Sequence, residues 1–324
     1  MKYNELSQNF NPTFRIGFYG LSEQEKKEIE DILGNEFYSY YEASLIEGNE
    51  LLNQPDIILT KKNDETLEKI KQYCGASSLT VTKTQIESPS AVCFNNEENI
   101  EESKRRILDS AIIGNTQKIS QIINQSEDGL TIIPELLKKK DKHTYHHIIN
   151  VVNYSEQISR ELGVDEEQIN RIRLGAYLYD IGKLCLPDSV LFNTTPKLSK
   201  EKWDIMTRHV EMAIRLIPSK YTGEKFTDIR KMITEHHERL DGSGYPNKIK
   251  DISFGARILA VCDTYDALTT KCSYQDKHTN NQAMQILYKL SDETDPKLDR
   301  SIVNALERTL EDNKIYSNKT RYII

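Results

Sequence analysis

Six side chains in the second half of the sequence are of the types that bind transition-metal ions. Imidazole and carboxylate groups are the ligands expected for iron, manganese or zinc, whereas calcium is bound through oxygen atoms alone. The chain has 7 histidines and the first of them is His143, so metal chemistry is expected after that point. The six side chains are His147, Asp180, His209, His236, His237 and Asp263.

A single histidine in a sequence usually has a plainer role, as a hydrogen-bonded residue of a core. The joint arrangement of these side chains is harder to explain in that way, because they fall in, or at the ends of, several different predicted helices. A helical bundle can direct side chains from facing helices to one centre, as helical di-metal proteins do. The sequence therefore predicts a metal centre inside a bundle.

Helical periodicity continues almost without interruption from His143 onward. A first helix is predicted to be closed by Gly163, and a long one is predicted to begin at the N-cap Ser199 and to run through His209. A further helix is predicted from Phe226 to Glu238. The C-terminal half is therefore predicted to be all-helical.

The first part of the chain alternates short apolar runs with helical stretches. FRIGFYG, PDIILT and SSLTVTKT predict strands, and this order favours an open parallel sheet flanked by helices. The predicted organisation is an α/β domain over residues 1–115, a helical linker over 116–142, an all-α bundle over 143–312 and a tail over 313–324.

Composition limits the partners. The 43 basic and 50 acidic residues leave a net charge of −7, which argues against duplex nucleic acid or a membrane surface as a partner. No apolar run approaches the roughly 20 residues of a membrane span, and the start lacks a signal-peptide pattern, so a cytoplasmic location is expected. The 5 cysteines are widely spaced without a CxxC pair, which favours reduced thiols over disulfides.

Three segments carry a resemblance to a known family. HHERLDGSGYP begins at His236, YDIGK begins at Tyr179, and ARILAVCDTYDAL begins at Ala256. Together they resemble the HD-GYP domain, the metal-dependent subgroup of HD phosphohydrolases that hydrolyses cyclic di-GMP. The resemblance extends from about residue 143 to 310.

The resemblance implies a helical bundle, two or at most three metal ions, usually iron or manganese, and linear pGpG or GMP as product. It assigns Asp180 as the ligand that bridges two ions, and His147, His209, His236, His237 and Asp263 as the other ligands. Lys183 would neutralise a phosphate or protonate a leaving oxygen. The substrate loop would consist of Asp241, Gly242, Gly244, Tyr245 and Pro246.

The match fails at two places. The His-Asp pair of the family is Tyr179-Asp180 here, and a phenol with a pKa near 10 is a poor ligand unless an acidic ion such as ferric iron ionises it. His146 or His143 would compensate, and His143 lies where some members place a carboxylate for a third ion. After Leu268, residues 272–275 replace an Arg-Pro-Tyr-Arg-like segment, which would weaken ligand binding.

The N-terminal part resembles a response-regulator receiver domain through its element order and its PDIIL strand. The acidic pair and the phosphoacceptor aspartate of that family are missing, since Tyr19, Thr60 and Lys61 stand at the corresponding strand ends. The hypothesis is a pseudo-receiver used for contacts or dimerisation. A structural α/β domain of no signalling ancestry is the alternative.

Three functions stay open from the sequence. The first is an active cyclic di-GMP phosphodiesterase with an altered metal site. The second is a catalytically inactive module that binds a nucleotide or signalling protein partners, and the third is a hydrolase of another cyclic dinucleotide or phosphorylated nucleotide. A homodimer is compatible with all three.

Overall fold

The structure is a computed structural model of the chain, and it describes part of the sequence. The described residues are 14–19, 22–24, 26–27, 30, 38–42, 57–61, 91–94, 100–126, 129–192, 197–270, 278–292 and 294–320.

The described strands of the N-terminal part form one parallel sheet in the order β2-β1-β3-β4. They are β1 (Phe14–Tyr19), β2 (Tyr38–Glu42), β3 (Ile57–Lys61) and β4 (Ala91–Phe94). Register places Tyr19 opposite Thr60, so the carboxyl ends of β1 and β3 lie side by side. The strand predicted at SSLTVTKT lies outside the described residues.

Helices make up most of the described remainder of the chain. They are α1 (Ile100–Gln125), α2 (Ile133–Lys140), α3 (Lys142–Glu161), α4 (Glu166–Leu178), α5 (Asp188–Leu191), α6 (Lys200–Met206), α7 (His209–Leu216), α8 (Glu224–Glu235), α9 (Phe254–Thr269), α10 (Asn280–Leu290) and α11 (Arg300–Thr320), with a 3-10 helix at Ile181–Cys185.

The chain divides into two compact units. The first contains Met1–Lys140 and Leu184–Asn193, and the second contains Asp141–Lys183 and Thr194–Ile324. Helix α1 runs continuously across residue 115, where the sequence analysis placed a domain boundary. The predicted domain ranges themselves stay a prediction.

Within the first unit, buried polar groups hold the segment that begins at Leu184. The ammonium of Lys140 is 4% exposed and donates hydrogen bonds to the backbone oxygens of Leu184 (2.7 Å) and Leu186 (2.9 Å). The amide of Asn115 donates a third bond to the oxygen of Leu184 at 3.2 Å. These bonds give the buried ammonium the partners that a charge in a protein interior requires.

The second unit is a helical bundle around α3. Helix α3 packs against α4, α9 and α11, and α8 packs against α4, α7 and α9. Four buried residues of α3 recur at steps of three and four, which places them on one face of that helix: Ile148, Val151, Ser155 and Ile158. The all-helical character predicted for this part is confirmed.

Two predicted helix ends are in place and two are not. The side chain of Ser199 accepts a bond from the backbone nitrogen of Lys202, as an N-cap does, and Gly163 follows α3 with φ +71°. The long helix predicted from Ser199 is divided between α6 and α7 by a turn in which the backbone nitrogen of Arg208 donates to the oxygen of Ile205, and the ring Nδ1–H of His209 donates to the oxygen of Met206 at 2.6 Å. Helix α8 ends at Glu235 rather than Glu238.

No helix among those described combines the length and apolar character needed to cross a bilayer. Cys185 and Cys262 are buried free thiols, and burial raises their pKa values, which fits the unreactive role predicted for the cysteines.

Gly182 allows the 3-10 helix to approach α7 closely. A methyl group at this position would collide with the backbone oxygen of His209 and would lie 2.6 Å from the backbone nitrogen of Ala213. We expect Gly182→Ala to lower the free energy of unfolding by about 3 kcal/mol, because backbone must move to admit the methyl. Urea denaturation measures the change.

The matched control is Gly175→Ala. The three atoms nearest to a methyl there all belong to the flexible side chain of Met232, with the sulfur at 3.0 Å, so the effect is expected to stay within about 1 kcal/mol. Equal stability of the two variants would contradict the proposed close approach.

Candidate metal centre

The structure brings the six predicted ligands together as two groups of three. His209, His236 and His237 form one group, and His147, Asp180 and Asp263 form the other. Within each group, one ligand atom of every residue lies within 4.8 Å of the others. These side chains come from α3, α7 and α9 and from the segments that follow α4 and α8, so packing of the bundle assembles the site.

Asp180 lies between the two groups. Its Oδ2 is 3.8 Å from Nε2 of His147, and its Oδ1 is 3.4 Å from Nε2 of His209. The residue is 1% exposed, and Oδ1 has no hydrogen-bond partner. An unsatisfied oxygen on a buried carboxylate is costly, and a carboxylate has two oxygens with which it can serve two cations.

Two imidazoles in the first group direct lone pairs at one another. Nδ1–H of His209 donates to the oxygen of Met206, and Nδ1–H of His236 donates to the oxygen of Ile233 at 2.6 Å. Each Nε2 therefore carries a lone pair, and the two Nε2 atoms are 3.5 Å apart. Burial lowers the pKa of His209, and burial together with His209 lowers the pKa of His236 to about 4.

The surroundings of His147 raise its pKa, whereas those of His209 and His236 lower theirs. Its Nδ1–H donates to Oδ2 of Asp266 at 2.6 Å, and its Nε2 lies 2.9 Å from Oδ1 of Asp263. Burial alone would lower the pKa of His147, but the bonds to these carboxylates outweigh it and raise the pKa to about 9. A metal ion at Nε2 would therefore displace a proton.

Asp266 is a site residue that the sequence analysis missed. It orients His147, and Nδ2 of Asn150 donates to its second oxygen at 2.9 Å. Such a carboxylate fixes the tautomer of a metal-binding imidazole. The signal available in the sequence was the spacing of three between Asp263 and Asp266, which places both on one face of α9.

The hydroxyl of Tyr179 contacts the second group of side chains. The oxygen is 2.7 Å from Nε2 of His147 and 3.2 Å from Oδ1 of Asp263. Burial, followed by the negative charge of Asp180, raises the pKa of Tyr179 well above its usual value. The oxygen is therefore within hydrogen-bond distance of two of the three side chains of the second group.

Lys183 and the additional histidines are placed differently. The ammonium of Lys183 donates to Oδ2 of Asp180 at 2.6 Å, and its side chain is 21% exposed. Burial alone would lower its pKa, but the charge of Asp180 raises it, so the group stays an ammonium. His143 and His146 are exposed and belong to neither group of three.

The predicted substrate loop folds back onto the metal ligands. The ring of Tyr245 stacks on the ring of His237 with centroids 4.5 Å apart, and its backbone nitrogen donates to the oxygen of His237. Asp241 accepts a bond from the backbone nitrogen of Ser243 at 2.8 Å, and Gly242 has φ +83°, which favours glycine. Pro246 is exposed.

Glu238 holds the backbone that follows the predicted substrate loop. Its side chain is 0% exposed and accepts hydrogen bonds from the backbone nitrogens of residues 247, 248 and 249. Gly244 packs closely against the backbone at Glu238, since a methyl group added there would lie 2.5 Å from the backbone nitrogen of Arg239. Arg239 donates to the oxygens of His236 and Glu238.

Metal ions fit this set of donors. A cation would satisfy the facing lone pairs of His209 and His236 and the unbonded Oδ1 of Asp180, which no described protein group satisfies. Imidazole and carboxylate ligands suit iron, manganese and zinc. Residues 271–277, which include the segment that departs from the HD-GYP pattern, lie outside the described residues.

Helices that direct histidine and aspartate side chains to two neighbouring groups define a helical domain with a candidate metal centre. The family model described as HD domain matches residues 130–298. The chain belongs to the HD domain family.

Similar proteins include phosphodiesterases of cyclic dinucleotides. The 3′3′-cGAMP-specific phosphodiesterase 2 of Vibrio cholerae is 31% identical over 200 residues, which are 59% of this chain and 38% of that protein. The cyclic di-GMP phosphodiesterase response regulator RpfG of Xanthomonas campestris is 27% identical over 242 residues, 72% of this chain and 62% of that protein. This chain spans less than two thirds of the length of both relatives.

A solved structure, the HD domain of the L. monocytogenes phosphodiesterase PgpH, aligns with a TM-score of 0.41 and 16% identity. The alignment covers 57% of this chain and 98% of that domain.

The role of Glu238 can be tested by removing its carboxylate. Glu238→Ala leaves three backbone N–H groups without their acceptor, so we expect the free energy of unfolding to fall by about 3 kcal/mol. Glu238→Gln keeps one acceptor oxygen and should lose about half as much. Urea denaturation of both, beside the exposed control Glu211→Ala, checks the order, and an unchanged Ala variant would contradict it.

Proposed function

We propose that this chain is a metal-dependent phosphodiesterase that hydrolyses a purine cyclic dinucleotide, with cyclic di-GMP as the expected substrate and linear pGpG or GMP as product. The observation that carries the proposal is the pair of imidazole Nε2 atoms of His209 and His236, 3.5 Å apart beside the unbonded Oδ1 of Asp180. Such an arrangement calls for a cation. The names of the relatives, which specify cyclic di-GMP and 3′3′-cGAMP, support the substrate class.

Two divalent ions, iron or manganese, would be held by the two groups of three ligands, with Asp180 shared between them. We propose His143, one helical turn before His147 on α3, as the residue that would contact a third ion. When bound, ions of this kind lower the pKa of a water molecule and stabilise charge that develops on phosphoryl oxygens. They would also supply the positive charge that a chain of net charge −7 needs to hold a phosphodiester.

The side chains of the protein have separate tasks in this proposal. Lys183 keeps its ammonium charge and has two N–H bonds left after it donates to Asp180, so it can donate to a phosphate or to a leaving oxygen. Asp266 holds His147 in one tautomer. Glu238 fixes the backbone that follows Tyr245 and Pro246, so the loop from Asp241 to Pro246 keeps one shape beside His237.

Metal content and hydrolysis test the proposal together. Protein purified without oxygen should carry metal and should produce linear dinucleotide from cyclic di-GMP in the presence of Mn²⁺ or Fe²⁺. Asp180→Ala should reduce the rate more than about 100-fold, since even the outer partners of metal ligands contribute 10- to 100-fold. Asp204→Ala, an exposed carboxylate on α6, is the matched control. Less than one ion per chain with no linear product would refute the proposal.

The hydroxyl of Tyr179 favours a second function, a nucleotide-binding module without catalysis. Its bonds to His147 and Asp263 tie up two of the three ligands of the second group. In that case a nucleotide would bind at the first group and the loop without being cleaved.

Substitution of Tyr179 separates the two functions. If the lost histidine limits the site, Tyr179→His should raise both the metal content and the rate, because an imidazole binds divalent ions better than a neutral phenol does. Tyr179→Phe, which keeps the ring and removes only the hydroxyl, is the control, and metal analysis with rate measurement checks both. A Tyr179→His variant with unchanged metal content would show that the tyrosine is already compensated.

For the N-terminal part we propose the pseudo-receiver domain. The parallel strand order β2-β1-β3-β4 supports it, since receiver domains of the flavodoxin-like kind share that order. The register that pairs Tyr19 with Thr60 supports a role in contacts rather than phosphorylation, since neither residue is acidic. The same proposal includes a homodimer formed through this part, or signalling protein partners that bind to it.

A further inference from the structure

Trp203 is the only tryptophan in the sequence, and 48% of it is exposed. Among the described residues it is the only large hydrophobic side chain that is exposed. A single exposed apolar side chain is common on protein surfaces, so its position is more informative than its exposure. Trp203 lies in α6, and its ring meets that of Tyr245 edge to face, with centroids 5.6 Å apart at 75°.

A series of ring contacts leads from the metal centre to this tryptophan. The ring of His209 meets the ring of His237 at 5.1 Å, and His237 stacks on Tyr245 at 4.5 Å and 28°. Tyr245 then meets Trp203, so Trp203 lies at the solvent end of the series, two contacts from a candidate metal ligand. Tyr245 is itself half-buried between its two ring neighbours. The indole is therefore the member of the series with ring surface left for a ligand.

A nucleotide separates its phosphate from its base by one sugar. A phosphodiester held at the metal ligands would thus place a base beyond the first rings of the series, toward Trp203. We infer that Trp203 is the stacking surface for a purine base of the bound nucleotide, an inference that rests on the proposed function. Bases stack on aromatic side chains through their flat π faces, and one such stack is worth about a factor of 5 to 150 in affinity.

The single tryptophan makes a direct binding test possible in the wild-type protein. With the full chain loaded with Mn²⁺, GMP should quench or shift the tryptophan emission in a saturable way. Ribose 5-phosphate, which has the sugar and phosphate without the base, should leave the emission unchanged. No response to GMP, or an equal response to both compounds, would overturn the inference.

Three substitutions distinguish stacking from packing against Tyr245. Trp203→Phe keeps a flat ring and should keep KM for cyclic di-GMP within about threefold. Trp203→Leu keeps apolar contact but has no ring face, so it should raise KM at least fivefold, as Trp203→Ala should, with kcat changed far less. Recovery of the wild-type KM by Leu would overturn the inference, because packing alone would then suffice.

Phe226→Ala is the matched control for a lost aromatic contact. Phe226 pairs with Tyr221 near the start of α8, about 15 Å along that helix from His236. The Phe226→Ala variant should leave KM for cyclic di-GMP unchanged. Thermal unfolding of all variants shows whether each is folded. A rise in KM as large as that of Trp203→Leu would overturn the inference.

The inference and the proposed function fail in different ways. Quenching by GMP without any cleavage of cyclic dinucleotide would refute the phosphodiesterase and keep the stacking role. Cleavage with an unchanged KM in Trp203→Leu and Trp203→Ala would keep the phosphodiesterase and refute the stacking role.

Discussion

The burial of the Asp180 carboxylate is the constraint on which the rest of the bundle depends. A charge at 1% exposure is unfavourable unless neighbouring groups compensate it. Lys183 compensates one oxygen, and the rings of His147 and His209 approach from α3 and α7. The helices must therefore pack so that their polar side chains meet at this carboxylate, and the second oxygen remains available for a cation.

The histidines of the two groups differ in their pKa values, that is, in how readily they bind a proton. On the side of His209, His236 and His237, burial lowers the pKa of each ring, so the lone pairs are available to a metal at neutral pH. On the side of His147, two carboxylates raise the pKa of the ring, and an ion there competes with a proton and with the hydroxyl of Tyr179. The two positions are thus inequivalent, and the hydroxyl of Tyr179 bonds to ligands of only the second group.

Neighbours in the segment HHERLDGSGYP have very different physical roles. His236 and His237 point their rings to the centre, whereas Glu238 is turned to the backbone that follows the loop and holds three N–H groups there. Tyr245 then returns to stack on His237. A short segment can thus supply ligands, the support of a loop and a ring of that loop, because the chain reverses direction within it.

The sequence by itself determined the kinds of ligand, the helical periodicity after His143 and the HD-GYP resemblance, since these depend on residue type and local spacing. Tertiary structure decided which side chains meet: Asp266 bonds to His147 across 119 positions, and Trp203 reaches Tyr245 from another element. Such contacts depend on how helices pack in space, and local spacing carries no record of that packing.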